Sequence, residues 1–247
     1  MKDNARQSAI AVLTAMLLAF SYVGIGFGVV SGSPEPTRLI ASATVDDAGT
    51  AFYKEQLVEG AVATQDYSFA SHDLEKYLDA IASINAKADT PYAEYGAERI
   101  QSAPEQFAIT PEQIRHLDDV YEVANRFLYP ILGIVVLTAF LLMAGYRLFG
   151  ISFLSKSLIW SGIGTIAVML ILLVWALISF DSLFAIFHSL FFVKGTWTFR
   201  ADSLLITMLP EAFWIGIGGV WVGITMLLSA SSIIVGFILK RRMNAEH

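Results

Sequence analysis

Four stretches of this chain, Ser8 to Val30, Phe127 to Tyr146, Leu158 to Phe180 and Phe213 to Leu239, carry no charged residue at all. Each is long enough to cross a hydrocarbon layer, which takes roughly 20 apolar residues at the helical rise. Inside lipid every backbone N–H and C=O has to be satisfied within the protein, so such stretches are helices. The rest of the composition agrees, with 55% hydrophobic and only 15% charged residues, far from the balance of a water-soluble domain. The pattern predicts a mainly α, polytopic membrane protein. It has four transmembrane helices, an extracytoplasmic domain between helices 1 and 2, and an aromatic loop between helices 3 and 4. The first apolar stretch is longer than the core of a cleaved secretory signal, and is expected to stay as a signal anchor.

Orientation follows from the basic residues. Lys2 and Arg6 precede the first span, Arg147 and Lys156 lie between the second and third, and Lys240, Arg241 and Arg242 follow the fourth. By the positive-inside bias, both termini are cytoplasmic. Between spans 1 and 2, residues 31–126 carry 17 acidic and 7 basic side chains. The expected organisation is therefore a cytoplasmic start with span 1 (1–30), an acidic extracytoplasmic domain (31–126), spans 2 and 3 (127–180), an extracytoplasmic aromatic loop (181–212), and span 4 with a basic tail (213–247). An acidic exterior excludes nucleic acid as a partner. The absence of cysteine excludes disulfides, thiolate nucleophiles and thiolate metal sites.

In the outer domain, SGSPEPT (Ser31 to Thr37) ends the first helix. The pieces up to Phe69 read as strands or frayed helix, and the segment from Asn85 to Gln106 as an exposed, irregular excursion. Ser71 is the expected N-cap of an amphipathic helix with Leu74, Tyr77, Leu78 and Ile81 on one face. The clearest signal is ITPEQIRHLDDVYEVANRF. Thr110 caps, Pro111 takes the first helical position, and Gln113 completes a capping box. Ile114, Leu117, Tyr121, Ala124 and Leu128 then form a stripe running into span 2. On the other side His116 shares a face with Glu112 and Asp119, so that Asp119 can orient its imidazole.

The second outer loop places Phe184, Phe187, His188, Phe191, Phe192, Trp197 and Phe199 within sixteen residues, a density suited to the membrane interface. Helical spacing from Phe184 to Phe191 extends helix 3, with His188 at headgroup depth. Phe187, Phe191, Phe192 and Trp197 are the expected lining for lipid chains. Gly216, Gly218, Gly219 and Gly223 of span 4 are expected at a close helix contact. Of the four histidines, His72 and His247 read as solvated surface groups. His116 and His188 stand near the same outer surface, either as interfacial packing or as a working pair.

Two neutral imidazoles at that depth suit acyl transfer, because imidazole both takes and returns protons near neutral pH. No G-x-S-x-G elbow or cysteine supplies an acyl-enzyme nucleophile. A metal-dependent hydrolase is the alternative, with His116, His188 and Asp119 or Glu112 as ligands, although no H-E-x-x-H is present. A non-enzymatic protein that binds lipids or partners through its acidic domain is a further one.

Two segments carry a resemblance. HLDDV (His116 to Val120) and FHSLFF with the following Trp197 and LITMLPEAFW, together Phe187 to Trp214, are similar to hallmark segments of the four-helix membrane family of lipoprotein intramolecular transacylases. The resemblance implies an enzyme of the bacterial cell membrane, similar to those of Gram-positive bacteria, with its site at the extracytoplasmic face. Its substrate would be a diacylglyceryl lipoprotein, converted to the lyso form by moving an acyl chain from the sn-2 oxygen to the α-amino group of the N-terminal cysteine. His116 and His188 would be the catalytic pair, acting without metal or other cofactor, with membrane lipid as the surrounding partner.

Overall fold

The computed structural model describes residues 2–245, and His247 lies outside them. Every regular element among the described residues is helical: α1 (Lys2–Ser31), α2 (Pro34–Thr44), α3 (Lys54–Phe69), α4 (Leu74–Lys87), α5 (Ala97–Ile100), α6 (Pro111–Ile178), α7 (Phe180–Phe191), α8 (Leu204–Met208) and α9 (Glu211–Ala245). The chain divides into two compact units. One comprises the residues up to Val29, Phe127–Ile178 and those from Trp221 on; the other comprises Val30–Arg126 and Ser179–Val220.

The first unit is the apolar one. Among the described residues, α1, α6 and α9 are long and apolar enough to cross a membrane. At 68 residues, α6 would run to about 100 Å if straight, three times a hydrocarbon core. It is not straight: Gly150, at φ 75° and ψ −165°, breaks it into two apolar segments. Space for the reversal comes from Gly145, where a Cβ would strike the ring of the fully buried Phe153. The expected loop between Tyr146 and Leu158 is thus one residue long. The backbone region of Gly150 is open almost solely to glycine, so Gly150→Ala is expected to destabilise the protein by about 1–3 kcal/mol. Thermal unfolding in detergent reads this as a lowered midpoint.

Large apolar side chains such as Val136, Phe140, Ile171 and Leu227 face outward, as lipid-facing positions do. Between helices the adhesion is polar and small, since lipid supplies no hydrophobic drive for association. Tyr22 donates to Ser232 Oγ at 2.6 Å, Ser232 to the Leu158 carbonyl at 2.9 Å, and the Trp221 indole to the Val23 carbonyl at 3.0 Å. Close approach falls at Gly162, under the Ser229 carbonyl, and at Gly236, under the Ser155 carbonyl. Of the span-4 glycines expected at such a contact, Gly216 makes one, since a Cβ there would lie 2.6 Å from Ile40 of α2, while Gly218, Gly219 and Gly223 face open space. A glycine cluster signals possible closeness, but which of its members touches a neighbour depends on helix rotation.

The second unit has a conventional buried core. Leu57, Ala61, Tyr77, Ile81, Ile84, Ile100, Ile109, Leu204 and Met208 are all nearly inaccessible, with α3 packed against α2, α4 and α8. Several local expectations are corrected here. Of the two readings open for the pieces up to Phe69, the helical one holds and the helices are regular: α2 is started by Ser33, whose hydroxyl accepts from Glu35 N, with Pro34 in the first turn, and α3 follows. The cap of α4 is Asp73, which accepts from Lys76 N; Ser71 instead donates to Asp66. The excursion after Asn85 is packed, because the buried Asn85 amide donates to the Ile81 and Phe107 carbonyls while its oxygen accepts from Thr90. Ile100 and Ala103 of that segment lie in the core. Finally, α7 is a helix of its own: Ser179, at φ −159° and ψ 88°, interrupts the helix that was expected to continue through His188.

Candidate active site

The second unit brings together two short helical stretches far apart in sequence. At the start of α6 the capping box forms as its residues dictate, with Thr110 N donating to Gln113 Oε1 at 2.9 Å and Gln113 N to Thr110 Oγ1 at 3.3 Å. That fixes the first turn, buries Ile114 and Leu117 in the core, and puts His116 on the next turn. In α7, Phe184 and His188 are one helical turn apart, with the His188 Nδ1–H donating to the Phe184 carbonyl at 2.9 Å. A carbonyl only accepts, so neutral His188 carries its proton on Nδ1 and exposes a lone pair on Nε2.

The two imidazoles meet. Their ring centroids are 6.0 Å apart with planes inclined by 30°, and each residue is only 8% exposed. Aromatic rings enclose them. Phe192 stands edge-on to His116 at 4.9 Å, and Phe199 lies 5.7 Å from it. Phe184 covers His188 at 3.9 Å, Trp197 at 4.9 Å and Phe187 at 5.7 Å. Phe191 packs against Phe187 and Phe192 and is partly open. Of the expected lining residues, Phe187, Phe192 and Trp197 thus stand beside the pair, and Phe191 packs on two of those rings. Phe184 and Phe199, counted among the loop aromatics but not among the expected lining, also border the pair.

Burial governs the charge of both groups. It lowers His116 to about 4, with the neighbouring His188 adding to the effect. Burial lowers His188 too, against an opposing contribution from the Phe184 carbonyl. Both rings are neutral at physiological pH. An unfolded histidine titrates near 6.5, so the folded state resists protons that the unfolded chain accepts. Stability from this source is complete above about pH 6.5 and is lost as pH falls toward about 4. Acid unfolding should therefore show a shallower slope in this window for His116→Phe than for the parent, measured by denaturant titration at stepped pH.

Asp119 does not orient His116. It is exposed, its carboxyl raised by partial burial and by the nearby Glu122 and Asp118, and the buried His116 Nδ1 has no hydrogen-bond partner. Glu112 pairs with Arg115 at 2.8 Å instead. The neighbouring Asp118 is the anchored acid: Tyr67 donates its hydroxyl to Asp118 Oδ1 at 2.5 Å, tying α3 to α6 beside His116. His72 is not a freely solvated side chain either. At φ 48° it lies between Tyr121, stacked at 3.8 Å, and Tyr67 at 4.8 Å, with Nε2 3.8 Å from Asp118. Among the described residues no three His, Asp or Glu side chains converge as metal ligands.

A family model described as lipoprotein intramolecular transacylase Lit matches residues 54–214, a span containing both histidines and every ring around them. The chain belongs to the Lit family. Its fold is that of the membrane-integral lipoprotein intramolecular transacylase Lit from Bacillus cereus, at TM-score 0.74 and 16% identity over 98% of this chain and 99% of that one. Structures of Bacillus cereus Lit with one histidine changed to arginine or to alanine match at TM-score 0.66, also at 16% identity, covering 99% and 98% of this chain and 96% and 97% of theirs. An uncharacterized protein of Aquifex aeolicus is 29% identical over 140 residues, 54% of this chain and 59% of its own length, so this chain matches less than two thirds of it. Lit membership and the full-length fold match make this an all-α, membrane-integral protein.

Proposed function

We propose that this chain is an O-to-N transacylase acting on a diacylglyceryl lipoprotein. An acyl chain leaves the sn-2 glyceryl oxygen and joins the α-amino group of the N-terminal cysteine in the same molecule. The observation that carries the reading is a pair of buried, neutral imidazoles 6.0 Å apart inside a wall of aromatic rings. Hydrogen bonds to two substituents of one carbon can bridge such a spacing. The family match supports the substrate class.

In this reading His188 Nε2 takes the proton of the attacking amine, as its Nδ1 is already committed to Phe184. The nitrogen–carbon bond forms while the carbonyl π pair moves onto oxygen. On collapse that pair returns and the bond to the glyceryl oxygen breaks. The proton taken by His188 reaches the departing oxygen through His116, which accepts on one ring nitrogen and releases from the other. Both rings end neutral, and no water enters the balance. Donor and acceptor belong to one substrate, so the protein's main contribution is to hold them in reactive geometry and keep the pocket dry. Phe187, Phe191, Phe192 and Trp197 are proposed to contact the acyl chains. The basic residues beside the spans support cytoplasmic termini and a site at the extracytoplasmic face.

A defined diacylated lipopeptide, incubated with the purified protein and read by mass spectrometry, tests the proposal. Transfer conserves mass and blocks the amine. Release of a fatty acid with gain of water would contradict it.

A further inference from the structure

Resting on the transfer reaction above, one part of the machinery is still unassigned: the group that holds the negative charge on the ester oxygen. Amine addition moves the carbonyl π pair onto that oxygen, and a donor placed there in advance lowers the barrier more than one recruited from solvent. The histidines are occupied with the proton. His188 uses Nδ1 on Phe184 and Nε2 on the amine, and His116 relays. Of the cations of this unit, Arg200 is exposed and bound to Glu105 at 2.7 Å and to Asp202 at 2.8 Å, Arg115 is bound to Glu112 at 2.8 Å, and Lys194 and Arg126 are exposed to solvent.

Among the described residues of this unit, three buried side-chain groups able to donate have no hydrogen-bond partner besides His116: Gln113 Nε2, Trp197 Nε1 and Ser203 Oγ. Of these, Trp197 stands against a histidine of the pair, its ring 4.9 Å from that of His188 and tilted by 36°. Indole N–H can donate but not accept, and a buried donor left unpaired is a cost that native proteins rarely carry without reason. The loop before it is also fixed. Thr196 directs both its backbone N–H and its hydroxyl to the Val193 carbonyl, at 3.2 and 2.8 Å, with Gly195 at φ 91° supplying the turn. The Phe184 ring supports the indole from the α7 side, 6.3 Å away.

We propose that the Trp197 indole N–H is the oxyanion donor, binding the ester carbonyl oxygen in the tetrahedral state. As the nitrogen–carbon bond forms, that oxygen gains the π pair and draws the indole hydrogen closer. As the bond to the glyceryl oxygen breaks, the pair returns and the hydrogen bond relaxes. Trp197 itself neither gains nor loses a proton.

The test replaces one atom group. The full-length protein is made with 3-benzothienylalanine at position 197, where sulfur stands for the indole N–H, and separately with 7-azatryptophan, which keeps it. Turnover of the diacylated lipopeptide is measured for both and for Trp197→Phe. The expected result is a fall in kcat of ~10²- to 10³-fold for the benzothienyl and phenylalanine proteins, KM within a few-fold of the parent, and activity retained with azatryptophan. The isosteric residue keeps packing intact, so a folding defect in the phenylalanine variant does not decide the matter. Near-parental kcat in the benzothienyl protein, or a raised KM with kcat unchanged, overturns the donor assignment. His188→Ala, run alongside, separates the two levels. If it is inactive while the benzothienyl protein works, the transfer reading stands and only the oxyanion role falls. If the parent releases fatty acid instead of transferring it, the underlying reading falls first.

Discussion

Replacing His188 with alanine is expected to lower kcat by at least ~10²- to 10⁴-fold, the usual worth of a positioned general base. In the proposed transfer the amine nucleophile has to lose a proton as it attacks, and the lone pair on His188 Nε2, which the Phe184 carbonyl leaves available, is the proposed acceptor. Glutamine at the same position separates chemistry from architecture. Its amide can still donate to the Phe184 carbonyl, yet it has no basic nitrogen, so His188→Gln should melt near the parent and be as inactive as the alanine variant. Added imidazole should restore part of the lost rate in His188→Ala, where space is vacated, and none in His188→Gln. Lipopeptide turnover within a few-fold of the parent in either variant would remove this residue from the mechanism.

The membrane-integral helices were legible in the sequence because they rest on strong, local signals, whereas spacing put His116 and His188 only near one outer surface and their pairing came from the family resemblance. Apolar runs without charge have no alternative in water, and the Thr110, Pro111 and Gln113 signature sets the phase of α6, and with it the direction of His116. The i, i+4 relation between Phe184 and His188 acts alike in α7. What the sequence hid depended on partners distant along the chain. Lys54–Phe69 has a weak apolar stripe and became a helix because it is surrounded, with α2, α4 and α8 against it. Asn85 looked like a loop residue, and only the carbonyls of Ile81 and Phe107 give a reason to bury it. The choice between Asp118 and Asp119 turned on about 100° of helix rotation: the residue on the His116 face reaches solvent, and its neighbour meets the hydroxyl of Tyr67. His72 gave no sign of its stack, since Tyr121 is nearly fifty residues away.

The unpaired His116 Nδ1 has a consequence for catalysis. An orienting carboxylate would hold imidazolium and raise its stability; here burial and the adjacent ring do the reverse, drawing His116 down to about 4. A group so reluctant to remain charged is a poor resting acid and suits the relay proposed above, in which it would hold the proton only in passage between His188 and the departing oxygen. In the proposed reaction the aromatic wall that disfavours the charge would also exclude the water that turns transfer into hydrolysis.

His116→Ala is therefore expected to be as damaging as loss of the base, again ~10²- to 10⁴-fold in kcat. Without the relay the glyceryl oxygen leaves as an unprotonated alkoxide, and the tetrahedral state returns to starting ester instead of going forward. Two residues on one proton path act as a unit, so their losses should not multiply. The His116→Ala, His188→Ala double variant should fall within a few-fold of the slower single variant when lipopeptide turnover is compared across all four proteins. Multiplying losses would mean that the rings act in separate steps and would rule out the shared path. Substituting Asp119 with alanine in the same series should leave kcat within a few-fold of the parent, since its carboxylate makes no hydrogen bond to His116.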